Sequence, residues 1–477
     1  MTKVFVSGVF NILHPGHLRL LRFARECGNA LTVGVFSDRI AGNAAHIAEN
    51  YRLEGIRSNV FVDDSFIIDE PLEDVLRRLK PDIVVKGREH EAHSNPEQAV
   101  LDEYGGRLLF SSGERMFSSI DVLRREFSEL ADASVRLPED YMARHAITRA
   151  GLIDRLQGFS GQNVLVIGDS IVDEYITCDP LGMSQEDPTI VVSPVDKKLF
   201  VGGAGIVAAH AAGLGAQVQL LSVGGNDAMR EYALEVLGNR KVEATLFIDE
   251  SRPTTLKQRF RSRGKTLLRV NHLHEGSIPE SIQTKILDTC RQLLPRTELL
   301  VFSDFNYGCL PTTLINSIAR LAKEHRVMMV ADSQSSSQVG DVGRFADMDL
   351  LTPTEHEARL AVRDKESGLV VLADKLKKYS KAKHLFLTLA EEGVLIHADE
   401  PAVIGGYETD RIAALNAAPR DVAGAGDSML IVASMALRAG ADIWEASVLG
   451  SIAAAVQVGR VGNTPLNQME LVKEIQR

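Results

Sequence analysis

At 477 residues the chain is too long for one ordinary core and long enough for two or three domains. Its 45% hydrophobic and 25% charged residues are those of a globular protein, and a formal net charge of −11 excludes a nucleic-acid binder that works through a general basic surface. No apolar run has membrane-spanning length, no leader is expected ahead of the first strand, and the four cysteines (Cys27, Cys178, Cys290, Cys309) lack metal-ligand spacing, so reduced thiols and a cytoplasmic location are expected.

Residues 1–127 alternate strand-like and helix-like segments, as an α/β unit does. A first strand, Lys3–Ser7, runs into Gly8-Val-Phe10-Asn-Ile-Leu-His14-Pro-Gly-His17, then a helix over Leu18–Glu26 and a strand over Ala30–Phe36. Two imidazoles at a Pro-Gly turn before a helix can meet an anion together with the backbone N–H groups of the helix start. The stretch 128–162 is rich in Arg, Glu and Ala, carries no motif, and reads as a linker with one or two helices.

From Asn163 the α/β pattern restarts with Val164-Leu-Val-Ile-Gly168-Asp169 and reaches Asp173 four residues later. Two carboxylates near a strand's carboxyl end suit hydrogen bonds to polyol hydroxyls, because open α/β sheets place ligands there. Leu181–Leu199 reads as irregular and polar, and Gly202-Gly203 opens an Ala-rich helix where backbones approach closely. Asp421-Val-Ala-Gly424-Ala425-Gly426-Asp427 precedes the apolar, helix-like Ser428–Leu437. A Gly-rich turn at a helix start forms an anion cradle, and Asp427 beside it can take a hydroxyl proton; phosphoryl transfer to an alcohol needs both.

The string Ser7–His17 resembles the HxGH signature of the nucleotidyltransferase superfamily, with Asn11 where an aspartate is usual. Arg52, Val85-Lys86-Gly87-Arg88 and Phe117-Ser118-Ser119-Ile120 are similar to its later motifs. The resemblance implies a Rossmann-like domain over 1–127 in which His14 and His17 stabilise nucleotide phosphates while a sugar phosphate attacks the α-phosphorus. Lys86 and Ser118 or Ser119 would assist, with Ser7, Gly8, Phe10 and Arg52 around the nucleotide.

Residues 163–477 resemble the ribokinase-like (PfkB) sugar kinases, and within them the kinase half of the bifunctional ADP-heptose synthases. The resemblance rests on Gly168-Asp169, Asp173, Gly202-Gly203, Pro253–Lys257, Ser303-Asp304, Asp332, Glu357 and Gly424–Asp427. It implies an α/β domain with a small β lid. Asp169, Asp173, Gly202, Gly203 and Lys257 would face the sugar, Gly424–Gly426 would form the anion hole, Asp427 would be the base, and Glu357 would organise magnesium indirectly. Ile206, His210 and Thr354 stand where asparagines are usual and Tyr307 where the heptose kinases carry lysine, which thins the expected sugar contacts. The two domains are also in reverse order relative to the heptose enzymes.

The expected protein is therefore a bifunctional maker of a nucleotide-activated sugar: D-glycero-β-D-manno-heptose 7-phosphate kinase and heptose 1-phosphate adenylyltransferase, using ATP and Mg2+. Its expected partners are small sugar phosphates and a nucleoside triphosphate, with no nucleic acid and no membrane, and it is expected to be a homodimer by the family's habit of pairing through lid strands. One alternative keeps both activities on another sugar or polyol phosphate with CTP. Another keeps only nucleotidyl transfer, with the kinase-like domain binding sugar; the intact Asp427 argues against it.

Overall fold

The computed structural model describes the chain except residues 1, 12, 14, 46, 88–94, 112–134, 185, 188, 263–264, 335–339 and 400–408. The chain divides into two compact units, Met1–Asp132 with Arg363–Lys375, and Ala133–Val362 with Leu376–Arg477.

The first unit holds strands β1 (Lys3–Gly8), β2 (Ala30–Phe36), β3 (Asp64–Ile68), β4 (Ile83–Gly87) and β5 (Arg107–Ser111) in a parallel sheet of order β3-β2-β1-β4-β5. Val4, Phe5 and Val6 are buried in succession, as are Ile83, Val84 and Val85, which is the near-continuous apolar run of strands covered on both faces. The strand order reverses between β1 and β4, and such a reversal opens a crevice at the carboxyl ends. Ser7 and Gly8 end one of these strands, Lys86 and Gly87 the other, and the helix Pro15–Glu26 follows β1.

The second unit begins its strands with β6 (Asn163–Gly168), β7 (Ser170–Met183), β8 (Ile190–Gly203), β9 (Gln217–Gly224), β10 (Val242–Ile248), β11 (Leu256–Ser262) and β12 (Lys265–His272). It continues through β13 (Leu299–Asp304), β14 (Met328–Ser333), β15 (Leu350–Leu351), β16 (His384–Thr388), β17 (Val394–His397) and β18 (Thr409–Ile412). The main sheet has the order β10-β9-β6-β13-β14-β15-β16-β17-β18, and a separate four-stranded lid has the order β12-β11-β7-β8. At Asp169 the chain leaves the main sheet for the lid, and at Gly203 it returns into the helix Ala204–Gly213. The stretch 181–199, expected to be irregular, is mostly lid strand. Most of its residues are exposed, so no buried face imposes the period-two pattern that reveals a strand.

The expected linker is also more than a tether. Its described part holds the helices Glu139–Arg144 and Arg149–Gln157, whose Tyr141, Met142, Leu152 and Leu156 belong to the same core as Leu430, Trp444 and Leu449. The helices Ala425–Arg438 and Ile443–Val458 are buried along almost their whole length. Among the described residues no helix is long and apolar enough to cross a membrane, and all four cysteines are buried free thiols.

Trp444 is the only tryptophan and lies in the second unit's core, so its fluorescence follows that unit alone. Replacing the fully buried Leu430 by alanine is expected to cost about 2–5 kcal/mol. In urea titrations this appears as an earlier midpoint of the Trp444 transition with an unchanged slope.

Candidate active sites

In the first unit, the turn after β1 is shaped by contact. A Cβ on Gly8 would stand 2.9 Å from the Phe10 ring, and Phe10 itself adopts a φ of 54°. The Phe10 ring meets the half-buried His17 edge-on, with centroids 5.1 Å apart. Asn11 donates to the Ala44 carbonyl at 2.6 Å and accepts from the Ile47 N–H at 3.3 Å, which ties the turn to the segment beyond β2.

Arg52 departs from expectation. Its side chain is fully buried, and it donates to the carbonyls of Ile47 (2.7 Å), Val9 (2.6 Å) and Phe36 (2.9 Å) and to Asp38 (2.6 Å). It therefore braces the turn from behind and is not presented to a phosphate. Lys86 lies at the crevice but its Nζ is 2.8 Å from Glu97 Oε1. His14, Ser118 and Ser119 lie outside the described residues.

In the second unit, the lid, the carboxyl ends of the main sheet and the Gly424 turn surround a cavity of about 1120 Å³. Asp427 sits at its floor in the first turn of Ala425–Arg438, where unpaired N–H groups point outward. Gly424 before it has a φ of 77°, a conformation that favours glycine. The Asp427 side chain is only 5% exposed and its Oδ1 has no hydrogen-bond partner. Burial pushes its pKa up to about 7, with Lys257 pulling down and Asp173 adding to the rise. A carboxyl poised there is suited to take a proton near neutral pH.

Asp421 fastens the approach to this turn. Its carboxylate accepts from Tyr175 Oη at 2.8 Å, from the Gly462 N–H at 3.1 Å and from the Ala423 N–H at 3.2 Å. Asp173 lines the cavity, accepting from Asn463 Nδ2 at 3.2 Å and lying 3.4 Å from Arg259; burial raises its pKa against the pull of Arg259 and Lys257. Gly202 has no room for a side chain, since a Cβ would fall 2.4 Å from Asp173 Oδ2. Gly203, with a φ of 59°, is part of the cavity wall. Lys257 also lines the cavity, its ammonium 5.0 Å from the Phe305 ring centroid and 5.1 Å from that of Tyr307.

Asp169 is placed differently from expectation. Its oxygens accept the N–H groups of Phe305 (2.9 Å), Tyr307 (3.3 Å) and Cys309 (3.1 Å), and it is not part of the cavity wall. Burial, and then Asp304, raise its pKa to about 6. It shapes the loop beneath the lid, and Asp173 is the aspartate of the pair that faces the cavity.

Asp332 and Glu357 form a second acidic group on the cavity wall. Burial raises the Asp332 pKa well above the usual range, with Glu357 and then Asp427 adding to it. Glu357 accepts from the Thr354 N–H at 2.8 Å and donates its own N–H to Thr354 Oγ1 at 3.2 Å, a reciprocal cap on Glu355–Val362. Threonine at 354 thus keeps the cap. Among the described residues no group of three or more His, Cys, Asp or Glu is arranged to hold a metal directly.

The other departures lie in the protein's own packing. Ile206 is fully buried, Tyr307 is buried beneath Lys257, and His210 accepts the Leu466 N–H on Nδ1 at 3.0 Å. Burial lowers the His210 pKa to about 3 and so keeps the ring neutral. None of the three is part of the cavity wall.

Sequence reasoning missed a cationic lid face. Lys257, Arg259 and Arg261 alternate along β11, and antiparallel β12 sets Arg269 opposite Arg259 and Asn271 opposite Lys257. All five line the cavity. Like charges directly opposite each other in a sheet are unfavourable, and Asp173 at 3.4 Å from Arg259 and Asp421 at 3.7 Å from Arg261 offset part of that cost. The period-two spacing of the cations was visible in the sequence, whereas the register that opposes them was not.

Residues 162–469 match the pfkB family carbohydrate kinases, and residues 5–126 match the cytidylyltransferase-like family. Bifunctional protein HldE of Helicobacter hepaticus is 31% identical over 320 residues, covering 65% of this chain and 63% of that protein. Its namesake in Geobacter metallireducens is 28% identical over 315 residues, covering 65% and 62%. The chain thus spans less than two thirds of the length of these curated relatives. Phosphofructokinase-2 from Escherichia coli, in complex with substrates and products, superposes with a TM-score of 0.55 at 15% identity, over 66% of this chain and 98% of that one. Ribokinase from Thermotoga maritima gives 0.52 at 19%, over 66% and 100%. These two structures establish the fold alone. With the family match extending over more than half of its residues, the chain belongs to the pfkB carbohydrate kinases, and it carries a cytidylyltransferase-like domain ahead of the kinase domain.

Proposed function

We propose that the protein is a bifunctional enzyme making a nucleotide-activated sugar: the larger unit phosphorylates a sugar phosphate from ATP to a sugar bisphosphate, and the first unit joins a sugar 1-phosphate, left once a separate phosphatase has removed the other phosphate, to the nucleotidyl group of a nucleoside triphosphate with release of pyrophosphate. The observation that carries the kinase half is Asp427, a buried carboxyl group with an unpartnered oxygen at the start of a helix, lining the same cavity as the cations of β11 and β12. An acceptor hydroxyl loses its proton to Asp427 as its oxygen bonds to the γ-phosphorus, and the bond from that phosphorus to ADP breaks. The N–H groups of the Gly424–Gly426 turn face the charge on the transferring group. Arg259 and Arg269 hold a phosphate already on the acceptor, while Asp173 and Asn463 take its hydroxyls.

Asp332 and Glu357 fit magnesium held through water and nucleotide phosphates, since the ion usually keeps several waters and takes one or two carboxylates. When bound, the ion lessens the negative charge of those phosphates. A pure sugar-binding module has no use for a base at Asp427. The resemblance to the bifunctional ADP-heptose synthases favours a heptose phosphate and adenylate, and the buried free thiols suit a cytoplasmic enzyme. In the first unit, His17 and Lys86, with Ser7 and Gly8, would hold the nucleotide phosphates at the crevice between β1 and β4.

With heptose 7-phosphate and ATP, ADP formation should rise with pH as Asp427 ionises, through about pH 7. Asp427→Asn should abolish it and leave pyrophosphate release from heptose 1-phosphate intact. The same variant should be less easily unfolded than the wild type at high pH. Because the folded-state pKa is raised, Asp427 costs the native state progressively more as pH climbs from 3.8 to about 7, and the neutral amide is spared this cost. Urea midpoints that keep the same difference at pH 4 and pH 8 would contradict the buried, unpaired charge.

His17→Ala should show the opposite separation, losing pyrophosphate release by about a hundredfold or more while ADP formation persists. Arg269→Ala should raise KM for the phosphorylated acceptor by about tenfold or more and leave KM for ATP unchanged.

A further inference from the structure

We infer that the helix Glu139–Arg144 and the residues beside it, all between the two family-matched regions, position the nucleotide slot of the kinase unit; this rests on the kinase reading above. Two largely apolar segments line part of the cavity. One is the segment Ala413–Ala417 that leaves β18, and the other is the face of Ile443–Val458 that carries Ser451, Ala454, Ala455 and Val458. Both run into the Gly424 turn or the helix packed on it, so a nucleotide with its terminal phosphate at that turn has its base between them.

The upstream segment fastens both walls. Arg144 grips Asp410 of β18 in a bidentate pair, Nε at 2.9 Å and Nη2 at 3.0 Å, and His145 Nε2 lies 2.8 Å from the same carboxylate. The Arg136 N–H donates to the carbonyl of Leu415, a wall residue, at 2.9 Å. Toward the second wall, Tyr141 Oη is 2.8 Å from Ser447 Oγ, and the His145 ring stacks on Trp444 at 4.2 Å between centroids. The Asp410 and His145 side chains are 6% and 1% exposed. A bidentate, charge-assisted pair in such a place fixes geometry as well as energy. Without the guanidinium, Asp410 keeps His145 and the Arg411 N–H but loses the fork that fixes its direction, which frees β18 and the segment after it to shift. A shift of about 1 Å in a positioning element can cost up to about a hundredfold in binding or rate.

The test uses the full-length protein with ATP and heptose 7-phosphate, following ADP and pyrophosphate separately. Arg144→Ala should raise KM for ATP about tenfold or more, leaving KM for the sugar phosphate and pyrophosphate release unchanged. Arg144→Lys, which keeps the charge without the fork, should recover part of the loss. A purely structural role would shrink the active fraction, lowering kcat with KM for ATP unmoved, and that result overturns the inference. Should Arg144→Ala fail to fold, Tyr141→Phe removes only the hydroxyl to Ser447; a rise in KM for ATP of about threefold supports the inference and an unchanged value overturns it. Wild-type protein that forms no ADP overturns the kinase reading itself, and this inference with it.

Discussion

The second unit is organised around the burial of one carboxyl group, that of Asp427, which Lys257 offsets in part. Asp427 is held out of water with one oxygen unpartnered, and a charge so placed is tolerated only because its surroundings are fixed. Gly424 supplies the left-handed turn ahead of it, Asp421 ties that turn to Tyr175 of the lid and to Gly462, and Gln457 donates to the carbonyls of Ala423 and Gly462 from below. The two long helices after the turn are buried along almost their whole length, which is the rigid backing that a buried polar site requires.

The first unit solves a related problem with the opposite charge. Arg52 is buried whole, and its guanidinium gathers the carbonyls of three separate segments into one place. The fork geometry suits this use, because its donors spread in a plane and reach several acceptors at once. The turn after β1 is thereby held from behind by Arg52 as well as from within by Asn11.

Much of this was legible in the sequence. Continuous apolar runs such as Val164–Ile167 announced buried parallel strands, and the Gly-rich turn ending at Asp427 announced the start of the buried helix Ala425–Arg438. Spacing failed where tertiary context decides. Asp169 and Asp173 look alike four residues apart, yet the chain leaves the main sheet between them, so that one faces a loop and the other the cavity. Ile206 and His210 suggested a thinned sugar site, but both side chains lie within the core. The segment before Asn163 looked like a tether because its apolar residues are dispersed among Arg and Glu, and only packing shows them to be one face of a core.

The lid strand β8 forms one edge of its sheet, paired to β7 alone, over 14 residues with most side chains exposed. An edge so long is a template on which another chain can add a strand. Pro194 interrupts the row of N–H donors there, Asp196, Lys197 and Lys198 follow it with charge, and the register shift at Thr177/Cys178 twists the ribbon beside it. These residues limit continuous strand addition along β8, while the cavity-lining cations lie two strands away on β11.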